Sequence, residues 1–181
     1  MINKNTLYFH LLTDSYFDNY CDYDEFQFDN NRGHGIMVID IEDRIIAIPL
    51  RSGIPAHMSK QRHLFPYTTY TKDDGRKCLY ALDFSKLMFI DEDYIDQSRN
   101  YIFRNDEEKI FYLENFNRIF SRVKSYINSY IKLCKKIEDN KNITHSIMKP
   151  YIYSTLRNFH TELGINITKQ QFIDIKDNLW S

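Results

Sequence analysis

The stretch Ile36-Met37-Val38-Ile39-Asp40-Ile41-Glu42-Asp43-Arg44-Ile45-Ile46-Ala47-Ile48-Pro49-Leu50 decides the fold. Two runs rich in β-branched residues, 36–41 and 44–50, flank the polar step Glu42-Asp43, the pattern of a β-hairpin closed by a tight turn. Both runs are nearly continuous in apolar residues, so the hairpin is expected at the centre of a sheet, covered on both faces. Pro49 cannot donate to a ladder. The second strand is therefore expected to stop there and pass Arg51, Ser52 and His57 into the loop Arg51-Ser52-Gly53-Ile54-Pro55-Ala56-His57.

Outward from the hairpin, residues 7–12 suit a first strand, and 14–31 a loop or weak helix before Gly33-His34-Gly35 breaks the chain. Downstream, 68–71 pair at an edge, Asp73-Asp74-Gly75 turns, 79–84 alternate, and 87–90 close the sheet. Five or six antiparallel strands result. From about Glu107 the period changes: Phe116, Ile119, Phe120, Val123, Tyr126, Ile127, Tyr130, Ile131, Cys134 and Ile137 follow one helical face for roughly seven turns. The pattern ends at 139–142. Two shorter helices are expected, 154–163 stopped by Gly164, and one from Thr168, where Thr168-Lys169-Gln170-Gln171 is a capping box. Strands first and helices after them predict an α+β single domain, a curled antiparallel sheet carrying a long helix and shorter C-terminal ones.

A chain of 181 residues with 43% hydrophobic and 15% aromatic residues has enough apolar surface for one core without a disulfide or metal staple. Cys21, Cys78 and Cys134 are widely spaced and odd in number, which disfavours a zinc site or a secreted disulfide framework and points to a reducing compartment. No basic stretch leads into an apolar run at the N-terminus, and no apolar segment approaches the ~18 residues of a membrane span, so a cytoplasmic protein without a membrane partner is expected.

Net charge is only −1, yet charge is segregated. Residues 44–72 carry Arg51, His57, Lys60, Arg62 and His63 but no Asp or Glu, which reads as the seat of a polyanion. The first thirty or so residues are acidic, whereas Arg118, Arg122 and Lys124 stud the long helix, an arrangement that suits partner discrimination better than bulk coating of DNA.

Arg51, Ser52, His57 and Lys60 form the leading catalytic set. RNA is cleaved without metal or cofactor when a base takes the 2′-hydroxyl proton, an acid protonates the leaving 5′-oxygen, and cationic donors hold the phosphorane charge. His57 could serve as base or acid, Arg51 supplies a planar fork, and Ser52 and Lys60 add donors. Tyr67, Tyr70 and Phe65 are aromatics onto which single-stranded bases could splay. Asp22-Tyr23-Asp24 and Asp91-Glu92-Asp93 bunch carboxylates but lack a His or third acid at ligand spacing, and read as solvated loops. Arg157 and His160 read as helix surface and packing.

The succession of 36–41, 44–50, the Pro49-Leu50-Arg51-Ser52 turn, 79–90 ending in Leu87-Met88-Phe89-Ile90, and a long helix bearing Tyr112 and Phe116 resembles the ToxN/AbiQ/TenpN/CptN toxins of type III toxin–antitoxin systems. The resemblance covers most of the chain on short motifs. It implies a strongly twisted antiparallel sheet with helices, metal-independent endoribonuclease activity on mRNA, and inhibition by a small repeat-encoded RNA pseudoknot within a closed protein–RNA oligomer, in several cases as phage defence. Ser52 falls on the family's site serine, and Tyr16 and Tyr112 look like its site tyrosines; with Arg62, His63, Tyr67, Arg118 and Arg122 these make the expected RNA-binding set. Where one branch has Thr-Ser-x-Lys after Pro-Leu, this chain has Arg51-Ser52-Gly53-Ile54. The lysine position thus holds Ile54, and His57 or Lys60 are the nearest groups able to take its role. Two other readings remain at this level: a non-catalytic RNA-binding module, and a protein-interaction domain using the acidic N-terminal region.

Overall fold

In the computed structural model, which describes residues 8–20 and 35–181, the hairpin stands where its sequence pattern puts it. Strands β2 (Gly35–Ile41) and β3 (Arg44–Pro55) pair antiparallel from Ile41↔Arg44 to Ile36↔Pro49. Glu42 and Asp43 turn the chain with φ of 55° and 61°, the left-handed pair whose twist matches that of the flanking strands. Gly35 opens β2 because nothing larger fits: a Cβ there would lie 2.1 Å from the Tyr101 ring.

Strand β3 does not stop at Pro49 as expected; it runs on to Pro55. Pairs alternate between hydrogen-bonded and non-hydrogen-bonded, starting from the bonded pair beside the two-residue turn, and this puts Ile36↔Pro49 on a non-bonded position. The missing N–H therefore faces away from β2, toward the other edge of β3. On that edge, the end of β3 pairs with β5 (Lys77–Asp83; Leu50↔Leu82) and its start with β6 (Met88–Phe89; Ala47↔Met88). Between β5 and β6 the 3-10 turn Phe84–Lys86 steps out of the ladder, at the place where proline has no donor to offer. Residues 87–90 accordingly do not close the sheet. They resume the line of β5 along β3 after an interruption.

The outer strands are β4 (Leu64–Thr71) on β5, β1 (Tyr8–Leu12) on β2, and β7 (Ile95–Asn100) on β1, giving the order β4-β5-β3-β2-β1-β7. Seven strands thus form among the described residues, against five or six expected. The unanticipated β7 is polar, Ile95-Asp96-Gln97-Ser98-Arg99-Asn100, and has no apolar period to betray it. Because β3 and β4 are both antiparallel to β5, they are parallel to each other, and the chain between them crosses β5 through the 3-10 turn Ala56–Lys60. Met58 of that turn packs on Ile54, Leu64, Leu79 and Ala81, a small apolar cluster separate from the main core.

The helices are α1 (Asp14–Tyr20), α2 (Asp106–Glu114), α3 (Phe116–Glu138), α4 (His145–Met148) and α5 (Lys169–Trp180). Together with the strands they make the expected α+β arrangement. Along α3, Ile119, Val123, Tyr126, Ile127, Tyr130, Leu133, Cys134 and Ile137 are buried in the main core, as the 3.6-residue period requires. The capping box of α5 is formed, Gln171 N donating to Thr168 Oγ1 at 3.1 Å and Thr168 N to Gln171 Oε1 at 2.8 Å.

Residues 154–163 are not a helix. Their one regular piece is the 3-10 turn Thr155–Asn158, because Ser154 and Thr155 are buried and spend their hydroxyls elsewhere. Thr155 Oγ1 donates to the carbonyls of Ser85 and Leu87, clamping the interruption between β5 and β6. Arg157 and His160, expected on a helix surface, are buried too. His160 bonds the Ile167 carbonyl through Nδ1 at 2.6 Å, which leaves Nε2 to accept from the Tyr130 hydroxyl at 2.7 Å.

Candidate functional site

The register of β3 against β5 shifts between Arg51 and Ile54, so Ser52 and Gly53 together stand opposite Tyr80. Gly53 takes φ +76°, a conformation that a side chain would strain, and the bulge leaves Ser52 exposed. Lys72 lies alongside, its Nζ 3.5 Å from where a Gly53 Cβ would stand, an ordinary contact distance. Lys72 was not among the expected site residues. An ammonium nevertheless lies beside the Ser52-Gly53 bulge, delivered from the end of β4 and not by position 54, where Ile54 faces the apolar cluster under the crossing turn.

On the strand position before the bulge, Arg51 pairs with Ala81 and turns to the face that also carries Asp83. Its Nη1 is bonded to Asp83 Oδ2. Asp83 is only 2% exposed, and its other oxygen accepts from Ser85 N at 3.0 Å and Ser85 Oγ at 2.6 Å. Lys86, on the turn Asp83 caps, donates to the Tyr153 carbonyl at 2.9 Å. Burial holds the Lys86 ammonium down at about 8, against the pull of Asp83 and with the push of Arg51. Burial also lowers His63, opposed by Asp83 and aided by Arg51 and Lys86, and its Nδ1 is buried without a hydrogen-bond partner. The sheet thus gathers Arg51, His63, Asp83 and Lys86 within electrostatic reach of one another. Of these, sequence reading singled out Arg51 and His63. Asp83-Phe84-Ser85, an Asp-x-Ser step at a strand end, was the available signal for the rest.

His57 and Lys60 lie on the crossing turn Ala56–Lys60, both exposed, with Arg62 exposed just beyond. No hydrogen bond or ion pair joins Ser52, His57 and Lys60 to one another among the described residues. Arg118 is exposed, its guanidinium 5.6 Å from the Phe65 ring centre. Arg122 is half-buried and committed to the fold: its Nη2 donates to the carbonyls of Arg62 at 3.0 Å and Leu64 at 2.8 Å, so it fastens the start of β4 instead of facing outward. Burial lowers its pKa, with Arg118 adding to the effect.

The two tyrosines expected to meet RNA lie in the core. Tyr16 is 1% exposed and donates to Met88 Sδ at 2.7 Å. Tyr112 is fully buried, its hydroxyl without a partner and its pKa raised by burial. Neither presents surface to a base: Tyr16 on α1 and Tyr112 on the short helix α2, not on the long helix as expected, both pack into the main core. Phe65 is buried as well, under Arg118 and Arg122. Tyr67 is half-buried, its hydroxyl 3.3 Å from Asn105 Oδ1 and its ring against Phe111 and Tyr112. Tyr70 stacks on Tyr80 with ring centres 4.2 Å apart, and Arg104 lies 3.4 Å from the centre of the Tyr80 ring, so aromatic and cationic groups line the Tyr80 side of the bulge.

Asp22 and Asp24, with Cys21, lie outside the described residues; Asp91, Glu92 and Asp93 are exposed. Among the described residues no group of three or more His, Cys, Asp or Glu side chains is placed to hold a metal ion, and no helix is long and apolar enough to cross a membrane. No family model, curated protein or solved structure matches the chain.

Proposed function

We propose that this chain is a metal-independent endoribonuclease toxin, acting in the cytoplasm on single-stranded mRNA and neutralised by a small repeat-encoded pseudoknot RNA in a closed protein–RNA oligomer. The observation that carries this reading is the β3 bulge: it exposes Ser52, brings Lys72 beside it, and sits in a stretch of chain without a single acid from 44 to 72. The exposed cations of this stretch, Lys60 and Arg62 on and just after the crossing turn, attract a phosphodiester. The resemblance in motif order to the type III toxins supplies the reaction class.

In that reaction the 2′-oxygen attacks the adjacent phosphorus, the 5′-oxygen leaves, and a 2′,3′-cyclic phosphate remains. Ser52 donates to a non-bridging oxygen and Lys72 neutralises the charge that builds on the phosphorane. His57 and Lys60, exposed on the turn that follows, are the titratable groups available to take the 2′-hydroxyl proton and return one to the leaving oxygen. The separation of His57 and Lys60 from Ser52 favours, as a second reading, an RNA-binding module that does not cleave.

One assay divides the two. Single-stranded RNA incubated with the protein in EDTA should yield fragments ending in a cyclic phosphate, and Ser52→Ala should lose most of that activity. Binding without cleavage by well-folded wild-type protein would establish the module instead.

A further inference from the structure

We infer that the outer face of α3 is a docking surface for paired RNA, held by its sugar–phosphate backbone with no base unstacked. The inference rests on the reading of the chain as an RNA-binding protein and gives it a second surface: the bulge takes a single strand, and α3 takes the stem of the folded RNA that neutralises the protein.

The helix buries one stripe and turns the rest outward. On the outward side stand the cations Arg118, Lys124, Lys132, Lys135 and Lys136, interleaved with Asn117, Ser121, Ser125, Asn128 and Ser129. No Asp or Glu occurs from 115 to 137. By contrast, the exposed positions of α1, α2 and α5 include acids: Asp14 and Asp18, Asp106 and Glu107, Asp174 and Asp177. Lys, Arg, Ser and Asn are the side chains that bond phosphate and sugar. No aromatic ring stands among them, so a single strand that needs rings to stack on finds none here. A paired stem needs none. Its bases are already stacked, and it is recognised through phosphates and 2′-hydroxyls along a shallow groove. From Asn117 to Lys136 the face runs about 29 Å at the helical rise of ~1.5 Å per residue, long enough to follow several phosphates.

The acids around this face stand at its ends or are already engaged. Glu114 precedes the first turn. Glu42, from the hairpin turn, is held by Lys124 at 3.0 Å, and Glu138 accepts from Asn166 Nδ2 at 2.7 Å. Asp139, within electrostatic reach of Lys135, is paired with Lys141 at 2.8 Å. Along the other flank, the bonds from Arg122 to the carbonyls of Arg62 and Leu64 fix the start of β4 against the helix. They bring the exposed Arg62 alongside α3. The acid-free stretch 44–72 and the acid-free helix thus adjoin, and their cations add in attracting one polyanion.

The test is fluorescence anisotropy of the intact protein with a short blunt-ended RNA duplex, which offers no unpaired base, over a salt titration. Wild type should bind it with an affinity that falls as salt rises. The triple variant Lys132→Gln, Lys135→Gln, Lys136→Gln should lose roughly tenfold or more in affinity at low salt, and its salt slope should shrink by about 0.9 for each phosphate contact removed. Arginine at the same three positions should keep the affinity, and so should Lys77→Gln with Lys109→Gln, which removes exposed cations elsewhere. If the glutamine triple fails to fold, Lys132→Gln and Lys136→Gln taken singly decide, each with a loss of about threefold. Duplex binding untouched by the glutamine variants, or weakened as much by the pair elsewhere, overturns the surface. Binding of single-stranded RNA but not of the duplex also overturns it and leaves the RNA reading in place. No binding of either by folded wild type overturns both. Displacement of the duplex by poly-glutamate as readily as by unlabelled duplex of equal charge shows a surface for an acidic protein, and overturns the assignment to RNA.

Discussion

The guanidinium of Arg51 is bonded to the carboxylate of Asp83, 32 residues further along the chain, and the two come together because β3 and β5 are neighbours on the face under the crossing turn. Removing one partner of a buried pair costs more than the pair contributes, since the other charge is left uncompensated. Asp83→Asn should destabilise by about 2 to 3 kcal/mol, below the ~3–5 kcal/mol of a fully buried pair because Arg51 keeps contact with water. Urea unfolding of the variant measures it, and a loss under half a kilocalorie would mean that the pair is solvated away.

Tyr112 makes the opposite case. Its hydroxyl is buried with no partner, so the folded state bears a desolvation cost for no bond. Tyr112→Phe should raise stability by about 1 kcal/mol and leave the proposed RNA cleavage at the wild-type rate. A cleavage defect in a well-folded Tyr112→Phe protein would show that the hydroxyl reaches the substrate after all.

Two bases give the molecule a pH dependence of known sign. Burial lowers His160, whose Nε2 must stay a lone pair to accept from Tyr130, so below the ordinary imidazole value of about 6.5 the unfolded chain takes a proton that the folded chain refuses. Stability should fall as pH drops through that region, and the slope should flatten in His160→Asn. Lys86 acts at the other end. Its folded value of about 8 lies below the ordinary lysine value, so stability should rise from pH 8 toward 10 relative to Lys86→Met. Thermal melts across that range check both slopes.

At the bulge, Gly53→Ala would force a side chain into φ +76°, while its Cβ would meet the Lys72 ammonium at an ordinary contact distance of 3.5 Å. The backbone cost is about 1 kcal/mol. Ser52→Ala, at an exposed position, should cost under half a kilocalorie in stability. Both should reduce the proposed RNA cleavage by tenfold or more, Gly53→Ala by straining the bulge that presents Ser52 and Ser52→Ala by removing the donor. Full activity in both, measured on the same RNA, would move the reaction away from the bulge.

What could be read in the sequence was what local chemistry settles. The 36–50 hairpin, the buried stripe of α3 and the Thr168 cap each depend on residues close in the chain, and each is where its pattern says. Residues 87–90 misled because their apolar run is genuine while their partner, the far edge of β3, is chosen by the break at Pro49. Residues 154–163 misled because hydroxyls and a histidine that look surface-bound are consumed by distant carbonyls. The same division runs through the site. Arg51 and Ser52 stand out from the run that carries them, whereas Lys72, Asp83 and Lys86 matter only through strand neighbours that no spacing rule reveals.

The crossing of β3 to β4 over β5 has a kinetic consequence. β5 is made after both of the strands it separates, so it must insert between two parallel segments already joined by a short turn. Non-local pairing of this kind is slow to form. Until Lys77–Asp83 has docked, a growing chain carries Arg51, Ser52, His57 and Lys72 but has neither the carboxylate that pairs with Arg51 nor the strand against which the Ser52-Gly53 bulge forms. Order of synthesis alone thus keeps the unfinished polypeptide from assembling the proposed site.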